Sequence, residues 1–233
     1  RGGPRDAARA RMNDEAQRIR DAYARRAHDE RVVRGGEFVV AERRAIIREA
    51  VVRQFGARVS SIDICDIGCG AGGDLVSFCL DFGIAQEHLA GTELLPGPLA
   101  EASRALPEAD LRLVDGFELP WPDASFDLTW ASMAFSSIMD AASRRDLFGE
   151  LLRVTRRGGL VAIYDFRVRK PTNPDVVAMT ARRIRDLGVV PAQRLTATPF
   201  IPLLPVALRL PAPLRRATLP LLPRTHAIWL WRR

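Results

Sequence analysis

The sequence predicts an α/β fold: a mostly parallel sheet of seven strands with helices on both faces, entered through helical segments and carrying a Pro-rich insert near its end. Three observations predict it. Short apolar runs alternate with stretches of helical periodicity through the middle of the chain, the spacing of strand–helix–strand units. The run Ile62, Ile64, Cys65, Ile67 breaks at once into Gly68, Gly70, Gly72 and Gly73, and an apolar segment from Leu75 to Phe82 follows. That is a buried parallel strand, a glycine turn and a helix start, the first strand–turn–helix unit of a Rossmann-like sheet. The end of the chain, residues 226–231, returns to alternation and reads as a last strand.

The elements follow in order. Residues 1–11 are rich in Arg, Gly and Ala and are expected to be mobile. Met12, Ala16, Ile19 and Tyr23 fall at helical spacing, which predicts an amphipathic helix over 13–29 that Arg34-Gly35-Gly36 breaks. A second helix over 41–55 presents Ile46, Ile47, Ala50 and Val51 on one face and stops at Gly56. These two helices are expected to form a cap, residues 1–58, over the ligand edge of a domain at 59–233. After the glycine turn come a helix at 73–82, a strand at 88–92 reaching Glu93, and a helix opened by Pro96 and Pro98. Strands at 111–114 and 126–131 flank a proline-marked loop at 119–123. A helix over 141–155 is predicted to end in the basic turn and glycine stop Arg156-Arg157-Gly158-Gly159, and the strand 160–164 runs into Asp165. A helix over 174–187 and a strand within 189–198 follow, and 191–223 holds eight of the sixteen prolines among Leu and Arg, a lid insert in this reading.

With 233 residues the chain can bury one substantial core, and no apolar run approaches a membrane span. No secretory signal is visible and the three cysteines form no CxxC pair, so a reducing cytoplasm is the expected compartment. No zinc-ligand spacing is present and no metal is expected. Charge divides by region: residues 1–60 balance at +6, 61–181 at −8, and 182–233 at +9. Basic ends can fold over the acidic body or hold an acidic substrate. Nucleic acid is the disfavoured partner, because few aromatics interleave with the arginines.

The glycine turn can serve two ligands. Gly68, Gly70 and Gly73 satisfy the dinucleotide spacing, with Glu93 near the place of a ribose carboxylate. Three further features favour another ligand: Asp66 inside the strand end, the pair Asp115-Gly116 after the third strand, and the later segments FDLTWA and ELLRVTRRGGLVAIYD. In this order, over about residues 60–166, the sequence resembles the class I S-adenosylmethionine-dependent methyltransferases. The resemblance implies S-adenosyl-L-methionine as cofactor and S-adenosyl-L-homocysteine as product. It implies cofactor contacts at Asp66, Gly68, Cys69, Gly70, Glu93, Leu94, Asp115, Gly116, Phe117 and Ala131. Glu93 can accept from both ribose hydroxyls, Asp66 and the turn's N–H groups suit the amino-acid tail, and Asp115 can accept from the adenine amino group.

The acceptor is expected at the ends of strands four and five. Tyr23, Ser132, Met133, Phe135, Ser136 and Arg167 are the substrate candidates, and Asp165, His28 and His226 the candidate bases. The segment after strand four lacks the Asn/Asp-Pro-Pro-aromatic tetrad of amino-methyltransferases, reading Ala131-Ser132-Met133-Ala134. The stretches IYDFRVRKPTNPDV and RTHAIWLW are similar to those of bacterial small-molecule methyltransferases of polysaccharide or secondary-metabolite pathways. Methylation of oxygen on a small molecule in a biosynthetic pathway is therefore the leading expectation. RNA methylation, and action at a membrane surface on a lipid-like acceptor, are the alternatives, the latter because Leu and Arg intermix at 203–222.

Overall fold

The computed structural model describes residues 4–26, 36–169, 173–199 and 203–233. Helix α1 (Pro4–Arg26) and helix α2 (Gly36–Phe55) precede strand β1 (Ile64–Ile67). Then come α3 (Gly73–Phe82), β2 (Leu89–Glu93), α4 (Pro96–Ala105), β3 (Asp110–Leu113), β4 (Phe126–Ser132), α5 (Ala141–Val154) and β5 (Thr155–Phe166). The chain ends through α6 (Ala181–Arg185), β6 (Gln193–Pro199), α7 (Leu204–Leu208), α8 (Ala212–Thr218) and β7 (Arg224–Arg232).

The seven strands form one mixed sheet in the order β3-β2-β1-β4-β5-β7-β6. β1 to β5 run parallel, and β7 runs antiparallel between β5 and β6. Strand order reverses between β1 and β4, which leaves a crevice at their C-terminal ends. Alternate residues feed two cores. Cys65, Ile67, Ala131, Val161 and Ile163 face a layer with Ala16 and Ile19 of α1, Leu147 and Phe148 of α5, and Trp231. Ile64, Leu128, Trp130, Ala162 and Tyr164 face the other layer, with Ile47 and Val51 of α2 and Leu75 and Phe78 of α3. Two-sided burial explains why β1 and β4 read as nearly continuous apolar runs.

Several expectations are corrected. Helix α1 starts at Pro4, so residues 4–11 are helical; Pro in the first turn and the following Ala and Arg favour it, and Arg11 pairs with Asp146 at 2.6 Å. The predicted end of that helix, 27–29, lies outside the described residues, and α2 begins at Gly36 rather than 41. The Arg156-Arg157-Gly158-Gly159 turn already belongs to β5, whose register shifts opposite Phe126 and Leu128. Gly158, at φ +79°, accommodates the irregularity and donates to Arg233 O at 2.5 Å. Helix 174–187 shrinks to Ala181–Arg185, because Val177 N–H bonds Ser136 O (2.8 Å) and Met179 N–H bonds Phe166 O (2.6 Å). The 191–223 stretch is not a single insert: β6 within it is the edge strand of the sheet, and α7 and α8 follow.

Candidate active site

The crevice at the reversal point is built first by the glycine turn. Gly68 (φ +72°) and Gly70 (φ +55°) adopt left-handed conformations that L side chains rarely take. Gly68 and Cys69 N–H groups both donate to Thr92 O, at 2.8 and 2.9 Å, pinning the turn to β2. Gly70 N–H donates to Glu93 Oε2 at 2.8 Å, while Glu93 Oε1 accepts from Leu94 and Leu95 N–H at 2.7 and 3.0 Å. Three backbone donors thus hold the Glu93 carboxylate at the end of β2. It faces a cleft of about 890 Å³, including the part open to solvent.

Gly68 and Gly70 line this cleft on one side, Leu94 beside Glu93, Gly116 and Phe117 after β3, and Ser132 and Met133 after β4. Ile19 and Tyr23 of α1 close the other side. Helix α1 is held there by polar bonds at both ends of the cleft. Arg20 donates to Leu94 O and Val114 O, Arg18 donates to Ser137 O, and Glu15 accepts from Met139 N–H.

Asp66 lies beneath the turn, fully buried, and its Oδ1 has no partner. Burial raises its pKa well above the ordinary carboxylate value; Asp74 and Glu93 add to the shift and Arg43 opposes it. Arg43, projecting from α2, ion-pairs with Asp74 and donates to Ser132 Oγ at 2.8 Å. The second oxygen of Asp74 accepts from the Trp130 indole at 2.9 Å. The Arg43 guanidinium also stands 5.1 Å from the centre of the Tyr164 ring. This network ties α2 to α3 and to the end of β4, and sequence reasoning missed it, since nothing distinguishes Arg43 from its arginine neighbours.

The predicted site residues divide into those that face the cleft and those that shape it. Tyr23, Gly68, Gly70, Glu93, Leu94, Gly116, Phe117, Ser132 and Met133 face it. Cys69 is buried against β2: a Cβ at Gly91 would lie 3.1 Å from its Sγ. Ala131 is covered within the sheet, and Asp115 is exposed outside the lining. Phe135 and Ser136 are fully buried behind the wall.

Asp165 does not reach the cleft. It has no exposed surface, accepts from Ser136 N–H (2.7 Å) and Phe166 N–H (2.8 Å), and desolvation pushes its pKa up to about 7. It therefore acts as a strut between β5 and the loop after β4, in place of the expected base. His226 is buried on β7, its ring stacked on Tyr164 at 5.2 Å and its Nδ1 2.9 Å from Thr225 Oγ1, again away from the cleft. Arg167 bonds through its backbone to Thr225 O at 2.9 Å and is not a lining residue. His28 lies outside the described residues. The sequence reading also missed Leu119, Ile138 and Leu147, which line the cleft; Ile19 was read only as part of a helical stripe.

Among the described residues, no group of three or more His, Cys, Asp or Glu could hold a metal ion.

Comparison with known proteins agrees with this geometry. Residues 65–163 match the family model described as a methyltransferase domain. The chain is 31% identical over 110 residues to 2-methyl-6-phytyl-1,4-hydroquinone methyltransferase of Synechocystis, a match covering 46% of this chain and 32% of that protein. It is 30% identical over 131 residues to 27-O-demethylrifamycin SV methyltransferase of Amycolatopsis mediterranei, covering 54% and 45% respectively. The chain thus spans less than half the length of either curated relative. Among solved structures, geranyl diphosphate C-methyltransferase from Streptomyces coelicolor, in complex with Mg2+, geranyl diphosphate and S-adenosyl-L-homocysteine, superposes with a TM-score of 0.59. That match covers 81% of this chain and 77% of the other at 16% identity, which speaks to the fold. Residues 65–163 thus resemble the methyltransferase-domain family, and the chain around them shares the fold of the solved methyltransferase structure.

Proposed function

We propose that the protein transfers a methyl group from S-adenosyl-L-methionine to oxygen on a small-molecule acceptor in a biosynthetic pathway. The observation that carries this reading is the Glu93 carboxylate, held by three backbone donors and facing the cleft at the end of β2, with Asp66 buried beneath the adjoining glycine turn and its Oδ1 without a partner. Ribose hydroxyls of a cofactor can donate to the cleft-facing Glu93, and a cationic amino-acid tail suits the acids beside the turn. Gly116 and Phe117 offer a flat wall for an adenine ring, and Ile19 and Tyr23 would exclude water from above.

When bound, the cofactor supplies an electrophilic methyl on sulfur, and the protein contributes orientation and desolvation. With Asp165 and His226 walled off, the described lining residues include no His, Asp or Lys. An acceptor that loses its own proton readily, such as a phenol or hydroquinone, matches a cleft of this kind. The two curated relatives, named for a hydroquinone and for an O-demethylated rifamycin, support a small-molecule acceptor, and the second supports oxygen as the methylated atom. RNA as acceptor is disfavoured, because α1 lies across the cleft and most of its lining is apolar.

The test is methyl transfer from labelled S-adenosylmethionine to a panel of phenols, hydroquinones and aliphatic alcohols, with product mapping by mass spectrometry. Methylation of a phenolic oxygen supports the reading. Cofactor binding with transfer only to carbon or nitrogen acceptors overturns the oxygen assignment, and absence of cofactor binding overturns the whole.

A further inference from the structure

The stretch 203–222 does not line the cleft, and only part of it is buried. In α7, Leu204 and Ala207 are buried and seat the helix, while Leu203 and Val206 turn outward with 47% and 62% of their surface exposed. Arg209, exposed at the end of α7, follows Val206 at a spacing of three. Helix α8 has no buried residue and displays Leu214 (54% exposed) and Arg216. Leu221, 80% exposed, follows it. Four exposed aliphatic side chains thus fall within nineteen residues.

The charge around them has one sign. No acidic residue occurs after Asp186, whereas residues 187–233 hold seven arginines, including Arg209, Arg215 and Arg216. Aliphatic side chains projecting from short helical turns, flanked in sequence by arginines and by no acidic residue, complement an anionic lipid surface. The apolar groups enter the acyl boundary while the guanidinium heads stay among the phosphates. The prolines at 211, 213 and 220 keep the segment as short separate turns, so it rests on a surface and forms no groove for a partner helix. Among the described residues no helix is long and apolar enough to cross a membrane, so the contact is a lateral one.

We propose that residues 203–222 form a docking surface for an anionic lipid bilayer. This stands apart from the chemistry of the cleft, since none of the described residues in that stretch lines it.

The experiment is co-sedimentation of the full chain, without cofactor, with vesicles of phosphatidylcholine alone or mixed with phosphatidylglycerol. Light scattering reports its oligomeric state in parallel. Two variants alter exposed positions only: Val206→Ser with Leu221→Ser, and Arg209→Ser with Arg216→Ser. Wild type should sediment with the anionic vesicles and much less with the neutral ones, and salt should weaken the binding. Loss of two arginines should lower partitioning roughly 30-fold, and loss of the two apolar groups at least about tenfold, each with an unchanged circular dichroism spectrum. Failure of wild type to bind anionic vesicles at low salt overturns the proposal. So does binding that both variants retain. Self-association that V206S/L221S abolishes, with no vesicle binding, would assign the face to a second copy of the chain and equally overturn it.

Discussion

Replacing Glu93 by Gln alters one atom at the point where the glycine turn, β2 and the cleft meet. In the native side chain Oε1 accepts from two N–H groups, of Leu94 and Leu95, and Oε2 accepts from Gly70 N–H at 2.8 Å. A Gln carbonyl can keep the first pair. Its amide NH2 then faces the Gly70 N–H, donor against donor. Leaving that largely buried N–H unpaired costs about 1–3 kcal/mol. Losing the charged acceptor for a ligand hydroxyl costs roughly 1.5–3 kcal/mol more, and only in the bound state. The second loss alone predicts S-adenosylmethionine and S-adenosylhomocysteine binding weakened by about 10- to 100-fold. The first predicts a lower unfolding midpoint, by roughly 2–4 °C per kcal/mol in a chain of this size. Calorimetric titration of wild type and Glu93→Gln with both ligands, and with NADH as control, reads the first quantity; a thermal melt reads the second. A variant with the expected midpoint shift but unchanged affinity would refute the ligand role of Glu93 and leave it a turn fastener. Tight NADH binding by wild type would return the turn to the dinucleotide class.

Asp165→Asn should remove a pH dependence of stability. The native carboxyl titrates near 7, above the roughly 3.9 of an unfolded chain. Its contribution is therefore full below that lower value, declines as pH rises toward 7, and is constant beyond, by at most about 1.4 kcal/mol per pH unit. Urea unfolding at several pH values across that window should show this slope in wild type and not in the variant; an equal slope in both would place the titration elsewhere. Arg43→Met should strip Asp74 of its cation and Asp66 of its opposing charge, lowering stability by about 3 kcal/mol while keeping the aliphatic stem. A denaturant midpoint within error of wild type would show that the pair contributes nothing net.

The glycine turn, the parallel strands and Glu93 were legible because each depends on local chemistry. A φ near +70° at Gly68 requires glycine, a strand buried on both faces reads as an apolar run, and the acid at the end of β2 stands a set distance along the chain from the turn. The fates of Asp165 and His226 were not legible. A strand-end acid and a strand histidine look alike in sequence whether they face a ligand or a neighbour, and only the packing of the loop after β4 and of Phe166 decides. Helix 174–187 failed for a related reason: long-range bonds from Val177 and Met179 to Ser136 and Phe166 outweigh local periodicity. Residues 156–159 failed because backbone pairing with Arg233 competes with a glycine stop.

By itself, then, the sequence determined the α/β alternation, the turn and the carboxylate at the end of β2, all set by contacts within a few residues or by the twofold period of buried strands. Tertiary structure alone decided that α1 lies across the cleft, that Arg43 reaches Asp74 and Ser132 from the other face, and that Asp165 braces the wall and does not face the acceptor. Those contacts join residues 29 to 124 positions apart, and pairings at such separations depend on the whole core. No local propensity encodes them.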